Sequence, residues 1–97
     1  PTKDAAAREL EEETAYKAGQ IELLITIRTT VAFCNEKIDI YLARNLTAGS
    51  QHLDEDEYVQ VKAYTVDELT KMIYSGEIQD SKTVAAVLAY KDKLKMI

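Results

Sequence analysis

Ninety-seven residues allow one small domain and nothing larger. Twelve basic residues against seventeen acidic ones give a net charge of −5, and no basic patch interleaves with aromatics, so a nucleic-acid partner is not expected. No apolar run reaches the ~18 residues of a membrane span and no signal-peptide pattern is present, so no membrane partner is expected either; the single Cys34 suits a cytoplasmic setting.

In chain order, residues 2–14 are predicted to form a helix, with Thr2 as N-cap, Ala5 to Ala7 as strong formers and a stop near Ala15. Ile21–Thr30 is rich in β-branched residues and is predicted as a strand. Lys37–Leu46 sets Ile38, Ile40 and Leu42 on one face and Asp39, Tyr41 and Ala43 on the other, the pattern of a second strand. A turn around Cys34, Asn35 and Glu36 would join the two. Asn45–Asp56, with Gly49, Ser50 and no period, is predicted to be mostly loop, and Tyr58–Tyr64 a third strand. Thr65-Val66-Asp67-Glu68 has the form of a capping box and opens a short helix ending near Ser75 and Gly76. Asp80 or Ser81 then caps a last helix whose Val84, Val87, Leu88 and Leu94 can face a core.

The most informative stretch lies in the first helix. At about 100° per residue, Glu9, Glu12 and Glu13 fall at roughly 0°, 300° and 40°, on one side, while Arg8 and Glu11 point elsewhere. Ala6, Leu10 and Thr14 sit next to Glu13. An acidic run is ordinarily a solvated face. This one borders the apolar stripe, which a purely solvating run has no reason to do. His52 reads as an exposed loop residue, and a lone histidine makes a poor case for zinc. Cys34 is a weak candidate nucleophile, because the only histidine lies in a polar loop.

The run Arg8–Tyr16 resembles the Nudix box, whose core reads R-E-U-x-E-E-x-G-U with U a bulky apolar residue. Arg8, Glu9, Leu10, Glu12, Glu13 and Tyr16 match in register, and Ala15 departs, standing where the family has glycine. Such a position prefers a left-handed backbone, which costs an alanine roughly 1 kcal/mol. The box's first glutamate would sit just ahead of Pro1, so the chain is expected to open inside the motif. The fold implied is α/β (α+β), an α/β/α sandwich around a mixed sheet, here incomplete for lack of its opening strands. Residues 1–97 would form a single partial Nudix hydrolase domain. Unpaired strand edges invite pairing with another chain, and a homodimer is expected.

The resemblance implies metal-dependent hydrolysis of a nucleoside diphosphate linked to another group. Glu9, Glu12 and Glu13 would hold Mg2+ (or Mn2+), with Glu12 also counted among the catalytic residues and Arg8 as structural support paired with a carboxylate. Magnesium takes hard oxygen ligands and keeps several waters, so a few carboxylates suffice. A second acidic patch, Asp54-Glu55-Asp56-Glu57, would alone be a solvated loop. However, the segments from Tyr58, Thr65 and Ser75 onward look like the C-terminal part of ADP-ribose pyrophosphatases. There a loop glutamate acts as general base or orients the water, which makes Glu55 and Glu57 the candidates, Glu55 favoured. Val31 stands about where that subfamily carries a proline, so the substrate class is ADP-ribose or a related nucleotide sugar. Phe33 or Tyr16 can stack on a base, though aromatic residues so placed are more often core; no substrate-binding residue is assigned. The alternatives are a Nudix-like domain that binds without cleaving, motivated by Ala15 and the absent first glutamate, and an inactive structural fragment.

Overall fold

The computed structural model describes residues 2–31, 34–51, 53 and 60–96. Their elements, in order, are α1 (Lys3–Thr14), β1 (Tyr16–Lys17), β2 (Gln20–Val31), β3 (Cys34–Arg44), β4 (Thr47–Ala48), α2 (Val66–Tyr74) and α3 (Ser81–Leu94). The mixed helix-and-strand class expected from the sequence is the one observed. The chain divides into two compact units, Pro1–Leu23 with Tyr41–Lys62, and Leu24–Ile40 with Ala63–Ile97.

In the first unit, α1 starts where Thr2 Oγ1 accepts from the Ala5 N–H at 3.1 Å. It ends where Ala15 turns left-handed at φ 66° and ψ 20°. The Ala15 N–H donates to Glu11 O at 2.9 Å, closing the helix. The conformation expected for the missing glycine is therefore present, occupied by an alanine. β1 pairs antiparallel with β4, Tyr16 opposite Ala48 and Lys17 opposite Thr47. Two residues per strand carry no readable period, which is why the segment from Asn45 reads as loop. Asn45 is left-handed at φ 56°, a conformation asparagine tolerates better than most residues. Beside it, the Gly19 N–H donates to both Arg44 O and Asn45 O at 3.0 Å. A Cβ on Gly19 would stand 2.7 Å from Asn45 O, so the close approach requires glycine.

β2 pairs with β3. Thr26 Oγ1 donates to Asp39 Oδ1 at 2.7 Å, and Arg44 meets Glu22 at 3.5 Å, so numbers rise on one strand as they fall on the other. The second strand begins at Cys34 rather than Lys37, so the expected turn at Cys34–Glu36 is strand instead. Of the expected third strand, residues 60–64 have no regular structure, and Tyr58 and Val59 lie outside the described residues. Val61 and Tyr64 are 50% and 43% exposed. Strand preference expresses packing against neighbours, and about half of each of these side chains lies open to solvent.

In the second unit, α2 opens with the reciprocal capping box the sequence predicts: the Glu68 N–H donates to Thr65 Oγ1 at 3.1 Å and the Thr65 N–H to Glu68 Oε1 at 3.0 Å. The Thr65 N–H also holds the Glu68 carboxyl below its ordinary pKa. α2 closes before Gly76, which is left-handed at φ 87°. Asp80 caps α3, and Ser81 is its first residue. The Thr83 N–H reaches Asp80 Oδ2 at 2.9 Å, the Thr83 hydroxyl donates to the same oxygen, and Lys82 Nζ lies 3.0 Å from Oδ1. These donors, the Thr83 N–H first, push the Asp80 carboxyl down to about 2. Helices α2 and α3 pack together. Thr70 is the one buried residue among those described, its hydroxyl satisfied by Val66 O at 2.8 Å. Val84 and Val87 are half-buried, but Leu88 and Leu94 are exposed, against expectation. At 100° per residue Leu88 lies on the side of Ser81 and Asp92, the polar side of α3.

Candidate functional site

The acidic helix of the first unit is the candidate site. Its local cause is plain: the Thr2 cap, three alanines that lose no side-chain entropy, and a run of straight-chain glutamates that favour helix. Because α1 is regular from Lys3 to Thr14, Glu9, Glu12 and Glu13 share one side, as their spacing requires. Glu9 and Glu13 are exposed, and Glu12 is half-buried. Arg8 Nε stands 3.7 Å from Glu12 Oε1, one turn along the same helix. Arg8 thus has a carboxylate partner within the helix itself.

The donor chemistry of this trio fits a hard divalent cation: three carboxylates, two of them free to reorient in solvent. Among the described residues, no three acidic, histidine or cysteine side chains are grouped so that they could hold a metal ion as they stand, the trio included. Glu55 and Glu57, with Asp54 and Asp56, lie outside the described residues, as do His52 and Phe33 and the side chains of Val31 and Cys34. Tyr16 is 44% exposed, directly after the left-handed Ala15.

The structure adds residues that the sequence reading passed over. Glu11, on the opposite side of α1 from the trio, accepts from the Ser50 N–H at 3.2 Å. The Gly49 N–H donates to Ala15 O at 2.7 Å, and Gln51 Nε2 donates to Glu13 O. A Cβ on Gly49 would stand 2.6 Å from Glu11 Oε2, so Glu11 lies flat against the loop backbone. The available signal was angular. Glu11 falls beside Ala7 and Thr14 on the packed side of the helix, where a carboxylate needs a donor.

A family model described as the NUDIX domain matches residues 2–87. The chain belongs to the Nudix family. Among its relatives are a "Methanol dehydrogenase activator" of Bacillus methanolicus and an "ADP-ribose pyrophosphatase" of Bacillus subtilis. They are 45% and 37% identical, each over 84% of this chain and 45% of the relative. An "ADP-ribose pyrophosphatase" of Mycobacterium tuberculosis is 32% identical over 92% of this chain and 44% of its own length. The Nudix chain thus spans about half the length of the curated relatives it matches. A solved structure described as "ADP compounds hydrolase" superimposes with a TM-score of 0.86. It matches 98% of this chain and 51% of that one at 22% identity, which shows the fold. The expected fold class and family both stand.

Proposed function

We propose that this Nudix protein hydrolyses a nucleoside diphosphate linked to a second moiety, ADP-ribose or a related nucleotide sugar, giving a nucleoside monophosphate and a sugar phosphate. The observation that carries the reading is the helix α1, with Glu9, Glu12 and Glu13 on one side inside the matched domain. The pyrophosphatase names of the relatives support the same substrate class. A bound Mg2+ or Mn2+ would neutralise diphosphate oxygens and lower the pKa of the attacking water. Glu9, Glu12 and Glu13 would hold it. Arg8 would support the site only weakly, since its pair with Glu12 is 3.7 Å long and open to solvent. Glu55, with Glu57 as the neighbouring choice, would take the proton of the water or orient it. A homodimer and a cytoplasmic setting belong to the same proposal. Among the described residues, no helix is long and apolar enough to cross a membrane.

The test is release of AMP from ADP-ribose, and of the corresponding monophosphate from other nucleotide sugars, with and without Mg2+. Glu13→Gln keeps the side chain's shape and removes its charge; turnover should fall by about 100-fold or more, since metal stabilisation of the transition state is worth several kcal/mol. Unchanged turnover in that variant removes the mechanism. The second reading is a domain that binds nucleotide or a protein without cleaving. It draws on Ala15 in the glycine position and on the relative named as an activator. Tight nucleotide binding without product would favour it.

A further inference from the structure

Glu12 and Glu13 occupy the last turn of α1, and a helix end with unpaired carbonyls frays unless something holds it. Here the holder is the segment Gly49–Gln51. It donates to Ala15 O from the Gly49 N–H and to Glu13 O from Gln51 Nε2. In the third link the loop is again the donor, but to a side chain: the Ser50 N–H donates to Glu11 Oε2 at 3.2 Å. That link depends on Gly49, since a Cβ there would meet Glu11 Oε2 at 2.6 Å and Glu11 Cγ at 2.9 Å. All of these groups belong to the first compact unit. From this geometry we infer that Glu11 is a positioning residue: by clamping Gly49–Gln51 onto the last turn of α1, it fixes the backbone from which Glu12 and Glu13 reach a divalent cation. The inference rests on the proposed role of those two glutamates as ligands. Glu11 itself faces away from the trio and touches neither metal nor substrate.

The contact can be broken from either side. Glu11→Ala removes the acceptor, while Gly49→Ala displaces it and keeps the charge. Glu11→Gln removes the charge but keeps an oxygen that can accept from Ser50. Mn2+ affinity is read by EPR titration without nucleotide, and the Mg2+ concentration for half-maximal ADP-ribose turnover is read separately; circular dichroism confirms that each variant retains its helices. Glu11→Ala and Gly49→Ala should each weaken Mn2+ binding about tenfold, the scale of lost outer-sphere support. The double variant should be within about twofold of either single one, because both break the same contact. Glu11→Gln should stay within about twofold of the parent, and kcat at saturating Mg2+ should change less than the Mg2+ requirement. Independent, multiplying losses in the double variant overturn the clamp, as does a Glu11→Gln loss as large as that of Glu11→Ala, which would mark Glu11 as a source of charge alone. Normal hydrolysis with Mn2+ affinity unmoved by either substitution also overturns the clamp and leaves the proposed function standing. Clamp-dependent Mn2+ binding with no hydrolysis overturns the function and leaves the clamp. A parent that binds no Mn2+ overturns both.

Discussion

Ala15→Gly should make the protein more stable, although it deletes a methyl group and loosens the unfolded chain. At φ 66° and ψ 20° the alanine Cβ crowds its own carbonyl, a penalty of about 1–2 kcal/mol that glycine does not incur. The strain has no local escape. The Ala15 N–H is held by Glu11 O at 2.9 Å and its carbonyl by the Gly49 N–H at 2.7 Å, so both adjoining peptide planes are fixed. Against the relief stands glycine's greater freedom when unfolded, about 0.4–1 kcal/mol. The net gain is about 0.5–1 kcal/mol, which shifts a urea midpoint upward by roughly 0.5 M at an m-value of about 1–2 kcal/mol/M. The control is Ala7→Gly, the same atoms removed eight positions earlier in the middle of α1, where glycine costs about 1 kcal/mol. Urea unfolding followed at 222 nm should therefore move in opposite directions for the two variants, with unchanged m-values. If Ala15→Gly lowered the midpoint as Ala7→Gly does, the left-handed stop would not exist in solution, and the account of how α1 ends would fail.

Gly19→Ala should destabilise strongly, by about 2–3 kcal/mol. Its Cβ would meet backbone, Asn45 O at 2.7 Å, which cannot swing aside as a side chain can; a thermal melt within a degree or two of the parent would refute this. The cap of α3 should be acid-sensitive. Asp80 is pushed from 3.8 down to about 2, so its contribution is complete above pH 3.8 and is lost as pH falls from there towards 2. Asp80→Asn retains the cap without the titration, and amide shifts of Thr83 should lose their pH dependence across that window. Mg2+ at 100 times its dissociation constant should raise stability by about 2.7 kcal/mol, and Glu13→Gln should abolish the rise; an equal Mg2+ effect in both proteins would place the ion elsewhere.

Where the sequence was legible, short-range chemistry decided the outcome. Thr2, Thr65 and Asp80 cap because a hydroxyl or carboxylate three residues ahead of a free N–H can reach it whatever the tertiary context. The Ala15 conformation was legible by a different route, through the resemblance, which sets a glycine at that position. Cross-chain features were not. β1 and β4 are two residues each and exist only through their pairing thirty residues apart, and Val61 and Tyr64 carry strand preference yet stand about half exposed. Leu88 is apolar on the polar side of α3, a case that composition alone assigns to the core. At the site, the trio's common side follows from helix geometry. The link from Glu11 to Ser50 depends on chain separated by 39 positions, and only the angle of Glu11 hinted at it.

The last turn of α1 breaks two local rules at once, and the two breaks have a common reading. Four of the helix's final six residues are glutamates, and no basic residue stands in its last turn. The negative end of the helix dipole therefore faces negative side chains, and Glu9 and Glu13 repel across one turn; each effect costs a few tenths of a kcal/mol or more. Arg8 offsets little, because its pair with Glu12 is long and solvent-exposed. The same turn ends on a strained alanine. A sequence optimised only for helix stability would place lysine and glycine here. Local rules fail most often where function requires it. A dication beside Glu9, Glu12 and Glu13 would reverse the electrostatic part of the deficit, while leaving the Ala15 strain untouched. Metal and Ala15→Gly should therefore stabilise α1 independently, and their effects should add.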